Sequence, residues 1–502
     1  MRTLRAYQVC DAWSGPLIYL ILITGPWLFG STREWTEWLV DYLCYALGAL
    51  YAVKLAIRAL TGYRNPRWDE RAKPPGAETS ATAAERRSLN RSLAVLTVLI
   101  VGYCLLGVIN AGAAYVPETK LFDYFKFLAW LPHSYDRISS WFAFWNYLAL
   151  AILFWALHDW IVGKTPAEER ADRARFGDFS GVRGRLLPER MRRLLWLLAI
   201  SGGLLAAEGI AQRAAGTRDL LFFFPPIYQL KRTSEEFGPY AYRANGAQYL
   251  NLVWPVVLAF WWILEREARG ESRRRGRKFS FAPRNFVLIA AAVMAAGPIV
   301  ATTRAGTTVD VVMMIVAAAI LLSARSKDYR AAKFKIVAGL VLALGLGAAF
   351  GWKALANRVQ NESLEIAESQ RQYVYDVASQ MARDHPWFGT GPGTFETLYW
   401  AYQASTEDVV FQNLHNDWLE TVITFGWIGS TLIALAFCAV LIRWLVPGGI
   451  HGGFRLVSLI WLALAGCLAH ARYDFPLQIH SILAVFLVLC AILFSLSRGS
   501  SR

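Results

Sequence analysis

Apolar residues run along this chain in long blocks separated by shorter polar stretches. Each block has about 17 to 25 residues, the length that a helix needs to cross a hydrocarbon core of ~30 Å. The pattern predicts about twelve spans, at 12–30, 37–60, 92–116, 142–162, 192–212, 247–265, 285–302, 306–324, 336–354, 418–443, 456–471 and 478–496. We therefore expect an all-α polytopic membrane protein forming a single integral membrane domain over residues 1–502.

The basic residues give this helix pattern an orientation. The formal net charge is +15, and more than half of the 52 Lys and Arg residues fall in four polar stretches between predicted spans: 61–91, 164–193, 266–284 and 325–335. Because such residues accumulate in cytoplasmic loops, these stretches and both termini are predicted to be cytoplasmic, in a bacterial inner membrane. The basic run at 271–280 is then expected to face anionic lipid, with no nucleic acid as partner.

We expect the segments 117–141, 214–246 and 355–416 to lie on the opposite side of the membrane. The last of these is a large periplasmic loop in this interpretation, and its apolar residues recur at helical spacing: Leu364, Ala367, Tyr373 or Val374, Val377 and Met381. The amphipathic helix is expected to stop near His385 because the residue before a proline disfavours helical geometry. The sequence GTGPG at 389–393 then predicts a sharp turn rather than a nucleotide cradle.

Four residues near the predicted outer ends of spans are candidate catalytic or binding residues. His415, in FQNLHNDWLE, is able to take a proton from a hydroxyl near neutral pH. Arg304 lies between two spans with room for only a very short connection, and Arg371 and Arg243 could reach the same surface. A loop-bonded structural histidine, a snorkelling arginine and ordinary surface arginines are the competing interpretations.

Other polar residues carry less information. His385, before a proline, is interpreted as structural, and the grouping of His470, Asp474 and His480 is too loose for a metal site. We expect neither a metal nor another cofactor. If the candidate residues meet, arginines would bind and neutralise a diphosphate while a neutral imidazole activates a hydroxyl.

Three segments together resemble the bacterial O-antigen ligase family, which includes O-antigen ligases, O-antigen polymerases and protein O-oligosaccharyltransferases. They are TTRAGTT, SQRQYVYDVASQMARDHPWFGTGPGTF and NLHNDWLETVITFGWIG, in that order. The resemblance covers roughly residues 240 to 480, where RANGAQYLNLVWP and HARYDFPLQIH also look like family motifs. It implies a GT-C-like helical fold and metal-independent, inverting transfer of a glycan from undecaprenyl diphosphate at the periplasmic face.

The resemblance also implies roles for individual residues. Arg304 and Arg371 would hold the donor diphosphate, Arg243 would assist, and His415 would be the catalytic base. Asn416 would fix the loop or orient the histidine, and His470 and Asp474 would support the site. The acceptor stays open between lipid A core, a growing polysaccharide and a protein hydroxyl, so ligase, polymerase and protein glycosylation are alternatives. A transporter or flippase for lipid-linked sugars is the alternative from another class.

Overall fold

The fold is seen in a computed structural model. It describes residues 2–497 apart from 64, 69–79, 120, 176–185, 226–235, 276–282, 325–328, 362–363, 404–411, 447–449 and 452. Among the described residues, ten helices are long and apolar enough to cross a membrane, and two shorter apolar helices lie at Phe454–His470 and His480–Ser495. The expectation of an all-α polytopic membrane protein is confirmed.

The elements follow one another mainly as antiparallel helices. The helices are α1 (Arg2–Trp27), α2 (Glu34–Thr61), α3 (Ser80–Ile109), α4 (Arg137–Val162), α5 (Pro166–Arg175), α6 (Glu189–Ala215), α7 (Arg243–Arg275), α8 (Pro283–Val300), α9 (Arg304–Leu322), α10 (Arg330–Asn361), α11 (Leu364–Asp384), α12 (Phe395–Tyr402), α13 (Asp417–Arg443), α14 (Phe454–His470) and α15 (His480–Ser495). The strands are β1 (Ala113–Val116), β2 (Leu121–Tyr124), β3 (Ile450–His451) and β4 (Leu496–Ser497), with β1–β2 antiparallel and β3–β4 parallel.

Helix α7 is the centre of the bundle. Within its most apolar window, 94% of the residues are buried, whereas the other nine long spans bury 17–56%. Helices that are apolar all round belong in the interior of a bundle, while those with one packed face lie against lipid. The residues along α7 are therefore enclosed by neighbouring helices, and polar groups on it must find partners inside the protein.

The bundle has two distinct ends. We call "the His415 end" the one where α7, α9 and α13 begin and α14 finishes. The other end, "the opposite end", holds the start of α1 and the end of α15: Asp11 near the start of α1 bonds Lys54 at 2.7 Å, and His158 near the end of α4 lies 2.8 Å from Ser495 near the end of α15. Helix α1 therefore begins at the end of the bundle where α15 stops.

One predicted span ends earlier than the hydropathy indicates. Residues 92–116 were expected to be helical, but α3 stops at Ile109 and residues 113–116 form strand β1. The reason is Asn110, whose side-chain amide donates to Leu128 O and Pro132 O and whose carbonyl accepts from Leu128 N. An asparagine that bonds loop backbone in this way competes with continued helix.

The amphipathic helix and the glycine turn lie where the sequence places them. Helix α11 ends at Asp384, and of the described members of its apolar stripe, Val374, Val377 and Met381 are buried whereas Tyr373 is 39% exposed. In the turn that follows, Gly389, Gly391 and Gly393 all have positive φ. A Cβ on Gly389 would lie 2.5 Å from the backbone N of Gly426, a kink inside α13 with φ 61°.

The glycine turn at 389–393 supplies hydrogen-bond donors to the kinked helix α13. Thr390 N donates to Ile423 O at 2.8 Å and Gly391 N to Thr424 O at 3.0 Å, so two helix carbonyls released by the kink regain donors. Trp427 N in turn donates to Pro386 O at 2.8 Å. Backbone groups within a membrane protein need such internal partners. The turn is thereby fastened to α13, the helix that begins next to His415.

Candidate active site

His415 is held at the tip of a short turn. Before it, Leu414 is buried in an apolar cluster with Val374, Met381 and Ile423, and its N–H donates to the Glu420 carboxylate at 2.9 Å. After it, the Asn416 side chain caps α13 by accepting from Leu419 N at 3.3 Å. His415 itself has φ 57°, a left-handed conformation that is uncommon outside glycine and that concentrates at functional sites.

The His415 imidazole is bonded to a buried carboxylate. Its Nδ1 lies 3.0 Å from Asp474 Oδ1, and the His415 side chain is 25% exposed against 8% for that of Asp474. With Asp474 ionised, Nδ1 carries the proton and donates it, which leaves the lone pair of Nε2 free to accept another. The pair therefore has the polarity of a general base with its orienting group.

Asp474 accepts hydrogen bonds from several directions. Besides His415, Phe475 N donates to Oδ1 at 3.1 Å and the Tyr242 hydroxyl to Oδ2 at 3.4 Å, while His470 Nε2 lies 3.7 Å from Oδ2. Burial alone would raise the pKa of this carboxyl, but the hydrogen bonds and charges of His415 and His470 outweigh burial and hold its pKa well below the usual range. A carboxyl group whose pKa is lowered in this way is ionised near neutral pH.

A polar row on α7 joins this pair to α9. His470 Nδ1 lies 2.5 Å from Gln248 Oε1, and three residues further along α7 the Asn251 side-chain amide donates to Gly306 O in the first turn of α9, at 3.0 Å. Gln248 and Asn251 are both fully buried. Since residues three apart share a helix face, one face of α7 links the histidine–aspartate group to the start of α9.

Arg243 and Arg304 are the first residues of α7 and α9, and both helices begin at the His415 end. Arg243 is 5% exposed, whereas Arg304 is exposed. The connection between α8 and α9 has only three residues, 301–303, as the sequence indicates for Arg304. Helix N-termini carry partial positive charge, so the two arginines add to a potential that favours anions.

Arg371 lies in α11, and its side chain is outside the described part of the chain. One helical turn later, the Tyr375 hydroxyl donates to His415 O at 3.1 Å. Position 371 is thus one turn away, on α11, from a residue that touches the His415 turn. The side chains of the basic run at 271–280 also lie outside the described part of the chain.

Two histidines weighed in the sequence lie apart from this group. His385 Nε2 is 3.1 Å from the Tyr402 hydroxyl, and its ring packs on Tyr135 with a centroid distance of 4.6 Å; burial lowers the pKa of His385. His480 Nε2 lies 3.1 Å from Asp41 in α2. The grouping of His470, Asp474 and His480 is therefore split, and only the first two are neighbours.

Two acidic residues that sequence reasoning did not single out hold the site together. Asp417 N donates to Ala471 O at 2.8 Å, and Asp417 Oδ2 accepts from Leu477 N at 2.8 Å, so this residue clamps the connection that carries Asp474. Glu420 holds Leu414, as described above. The sequence NDWLE signals only the local part, in which acids in the first turn after an asparagine cap favour bonds to nearby backbone such as Leu414 N. The bond of Asp417 to Leu477, 60 positions away, has no sequence signal.

An all-α membrane bundle with a histidine–aspartate pair and two arginine-led helices at one end defines the class: a polytopic membrane protein with a buried polar group at one end of the bundle. Residues 289–434 match the family model described as O-Antigen ligase, a segment that includes Arg304, Arg371 and His415. The resemblance to the O-antigen ligase family is confirmed, and this family is made up of glycosyltransferase-like membrane enzymes. No match was found among curated proteins.

Proposed function

We propose that this protein is a glycosyltransferase that moves a glycan from undecaprenyl diphosphate to an acceptor hydroxyl. The reaction would occur at the periplasmic face of a bacterial inner membrane, with both termini in the cytoplasm. The observation that carries the proposal is the partly exposed His415 imidazole, held by Asp474 at the bundle end where α7 and α9 begin with arginines. The family match supports the same reaction class.

In the proposed reaction, His415 Nε2 takes the proton of the acceptor hydroxyl. The freed oxygen forms a bond to the anomeric carbon from the face opposite the diphosphate, which inverts that centre. The bond between the anomeric carbon and the diphosphate oxygen breaks, and its electron pair stays on the diphosphate. Arg304 and Arg371 bind that group, with Arg243 assisting, and neutralise the charge where it develops. No step calls for a metal.

Supporting roles follow from the contacts. Asp474 keeps the His415 ring in the tautomer with a free Nε2 and stabilises the imidazolium that forms. Asn416 caps α13 directly behind the histidine, and His470 supports Asp474 from the buried side. Positioned proton transfer of this type contributes ~10²- to 10⁴-fold in rate.

The test is glycan transfer by purified variants in lipid nanodiscs with a polyprenyl-diphosphate glycan as donor. His415→Ala and Arg371→Ala should each lose transfer by at least ~10²-fold. His385→Gln and Arg383→Ala are matched controls, since His385 bonds Tyr402 and Arg383 is exposed in the last turn of the same helix as Arg371. Full transfer by both test variants would refute the proposal.

The alternative from another class is a flippase for lipid-linked sugars. A flippase has no use for a base with its lone pair directed at a substrate hydroxyl, and transporters place their broken helices and charges near the middle of the membrane. Here the histidine and both helix-leading arginines lie at a bundle end. Reorientation of a lipid-linked sugar by the His415→Ala variant at the wild-type rate, without any transfer by the wild type, would favour the flippase.

A further inference from the structure

Two aromatic rings lie against the imidazole of His415. Tyr242, just before α7, and Phe475, just after Asp474, stack with ring centroids 5.5 Å apart and planes 8° from parallel. The His415 ring stands nearly perpendicular to both, 4.8 Å from Phe475 and 6.1 Å from Tyr242. All three side chains are only partly buried. A pair of partly exposed aromatic rings therefore borders the proposed base.

The distance between the acceptor hydroxyl and the His415 imidazole limits which part of the acceptor can contact the two aromatic rings. A hydroxyl that gives its proton to His415 Nε2 must approach within ~3 Å. The group that carries this hydroxyl then lies within a ring's width of the imidazole, which is where Phe475 and Tyr242 are. A pyranose ring presents one face made of C–H groups, and such a face packs on aromatic carbon while the hydroxyls at its edge stay available.

A peptide acceptor would need different chemistry. An extended peptide binds through main-chain hydrogen bonds to free backbone groups of its host. Several of the described backbone groups around the base are already used: His415 O accepts from Tyr375, Phe475 N donates to Asp474, and Leu477 N donates to Asp417. This favours an acceptor recognised by its ring face over one recognised by its main chain.

We propose that Tyr242 and Phe475 form a stacking subsite for the sugar ring that carries the acceptor hydroxyl. The acceptor is then a carbohydrate, either a core glycolipid or a growing glycan, and not a serine or threonine of a protein. This inference rests on the proposed function and narrows its substrate class. The Tyr242 hydroxyl, which donates to Asp474, helps to position the base, while the partly exposed aromatic carbons of the two rings would contact the sugar.

The test separates acceptor binding from donor binding in the full-length protein in nanodiscs. Phe475→Leu removes a ring but keeps the backbone N–H that bonds Asp474, and Phe475→Trp keeps a ring. The leucine variant should raise the acceptor KM by about 2- to 12-fold, corresponding to the ~0.5–1.5 kcal/mol of an aromatic contact, with the donor KM nearly unchanged. The tryptophan variant should restore the acceptor KM.

Two further variants sharpen the assignment. Tyr242→Phe keeps the ring and loses the hydroxyl, so the acceptor KM should hold while kcat falls; Tyr242→Leu should raise the acceptor KM as well. Tyr473→Leu is the control, because Tyr473 lies on the same connection as Phe475 and is 58% exposed. It should change neither constant.

The acceptor class is tested with three acceptors offered separately: a core glycolipid lacking O-antigen, the lipid-linked glycan itself, and a peptide with serine and threonine. Transfer to either of the first two supports the inference. Transfer to the peptide alone, or an unchanged acceptor KM in Phe475→Leu, overturns it while His415-dependent transfer still upholds the proposed function. A wild-type protein that transfers to none of the three, or transfer that survives His415→Ala, refutes both.

Discussion

Two buried carboxylates, at opposite ends of the bundle, each lie among several basic side chains. At the opposite end, Asp159 is 2.8 Å from Lys54, 2.7 Å from Arg58 and 3.2 Å from Arg67. At the His415 end, Asp474 lies between His415 and His470. Both carboxylates are about equally enclosed, with side chains 5% and 8% exposed.

The two carboxylates differ in the type of basic side chain that surrounds them. Lysine and arginine keep their charge at physiological pH, so the Asp159 group is a permanent ion cluster that ties α2 to α4, and through Asp11 also α1 and α6. Histidine changes charge near neutral pH and can pass a proton on. The same arrangement of a carboxylate among bases is thus a permanent ion cluster at one end and, in the proposed function, a proton-transfer group at the other.

Asp474→Asn gives the sharpest test of this contrast and the largest expected effect. The amide no longer dictates which His415 nitrogen carries the proton, so glycan transfer should fall by ~10²- to 10⁴-fold. The measurement is kcat with the purified protein, together with thermal unfolding to show that the fold persists. A variant with the wild-type rate would show that Asp474 does not orient the base.

Asp159→Asn should lower the stability of the fold rather than the rate of glycan transfer. It leaves Lys54, which is 1% exposed, and Arg58 without their shared anion, and breaking a buried pair from one side costs ~3–5 kcal/mol. We expect a large drop in the unfolding temperature and an unchanged transfer rate per folded molecule. If the folded fraction instead showed a strongly reduced rate, the two ends would be functionally coupled and the contrast would fail.

The contribution of Asp474 to the stability of the fold should change with pH in a predictable direction. Its pKa is lowered in the folded protein, so the ionised carboxylate stabilises the fold fully above the unfolded pKa of ~3.9 and loses this effect as pH falls through the folded value. The stability difference between wild type and Asp474→Asn should shrink as the pH falls below about 4. A difference that shrinks between pH 8 and 6 would contradict the assignment. Unfolding temperature measured from pH 8 to 3 checks this.

The smallest effect is expected for Arg67→Ala. Arg67 is the most distant of the three bases on Asp159, and its side chain is 20% exposed, so water already screens the pair. The loss in unfolding free energy should be ~1 kcal/mol or less, because Lys54 and Arg58 remain. A loss as large as that of Asp159→Asn would mean that the cluster acts as one indivisible unit.

The helical architecture could be predicted because its cause is local. A run of apolar residues must become a helix in a bilayer, since only internal hydrogen bonding satisfies its backbone, and this holds wherever the run packs. The stop of α11 before Pro386 is equally local. The 113–116 segment was mispredicted because its fate depends on Asn110 bonding residues about twenty positions later in the chain.

The candidate site could be predicted only in part. Single residues such as His415 and Asp474 are visible as motifs, but the Tyr242–Asp474 bond joins residues 232 positions apart. Neither Tyr242 nor Phe475 carries a signal of its own, because an aromatic residue beside a span usually belongs at the membrane interface. Likewise, the pairing of His480 with Asp41 rather than with His470 depends on how α15 packs beside α2.

The amino-acid order by itself determined the number of apolar helices, the amphipathic segment, and the residue types available for proton transfer and anion binding. All of these follow from interactions between near neighbours and the solvent, which any stretch of chain experiences alone. Only the tertiary structure decided that Asp474 holds His415, that Asp417 clamps their connection and that two aromatic rings border the base. Those contacts form only when segments that are far apart in the sequence pack together, so the packing determines which residues become partners.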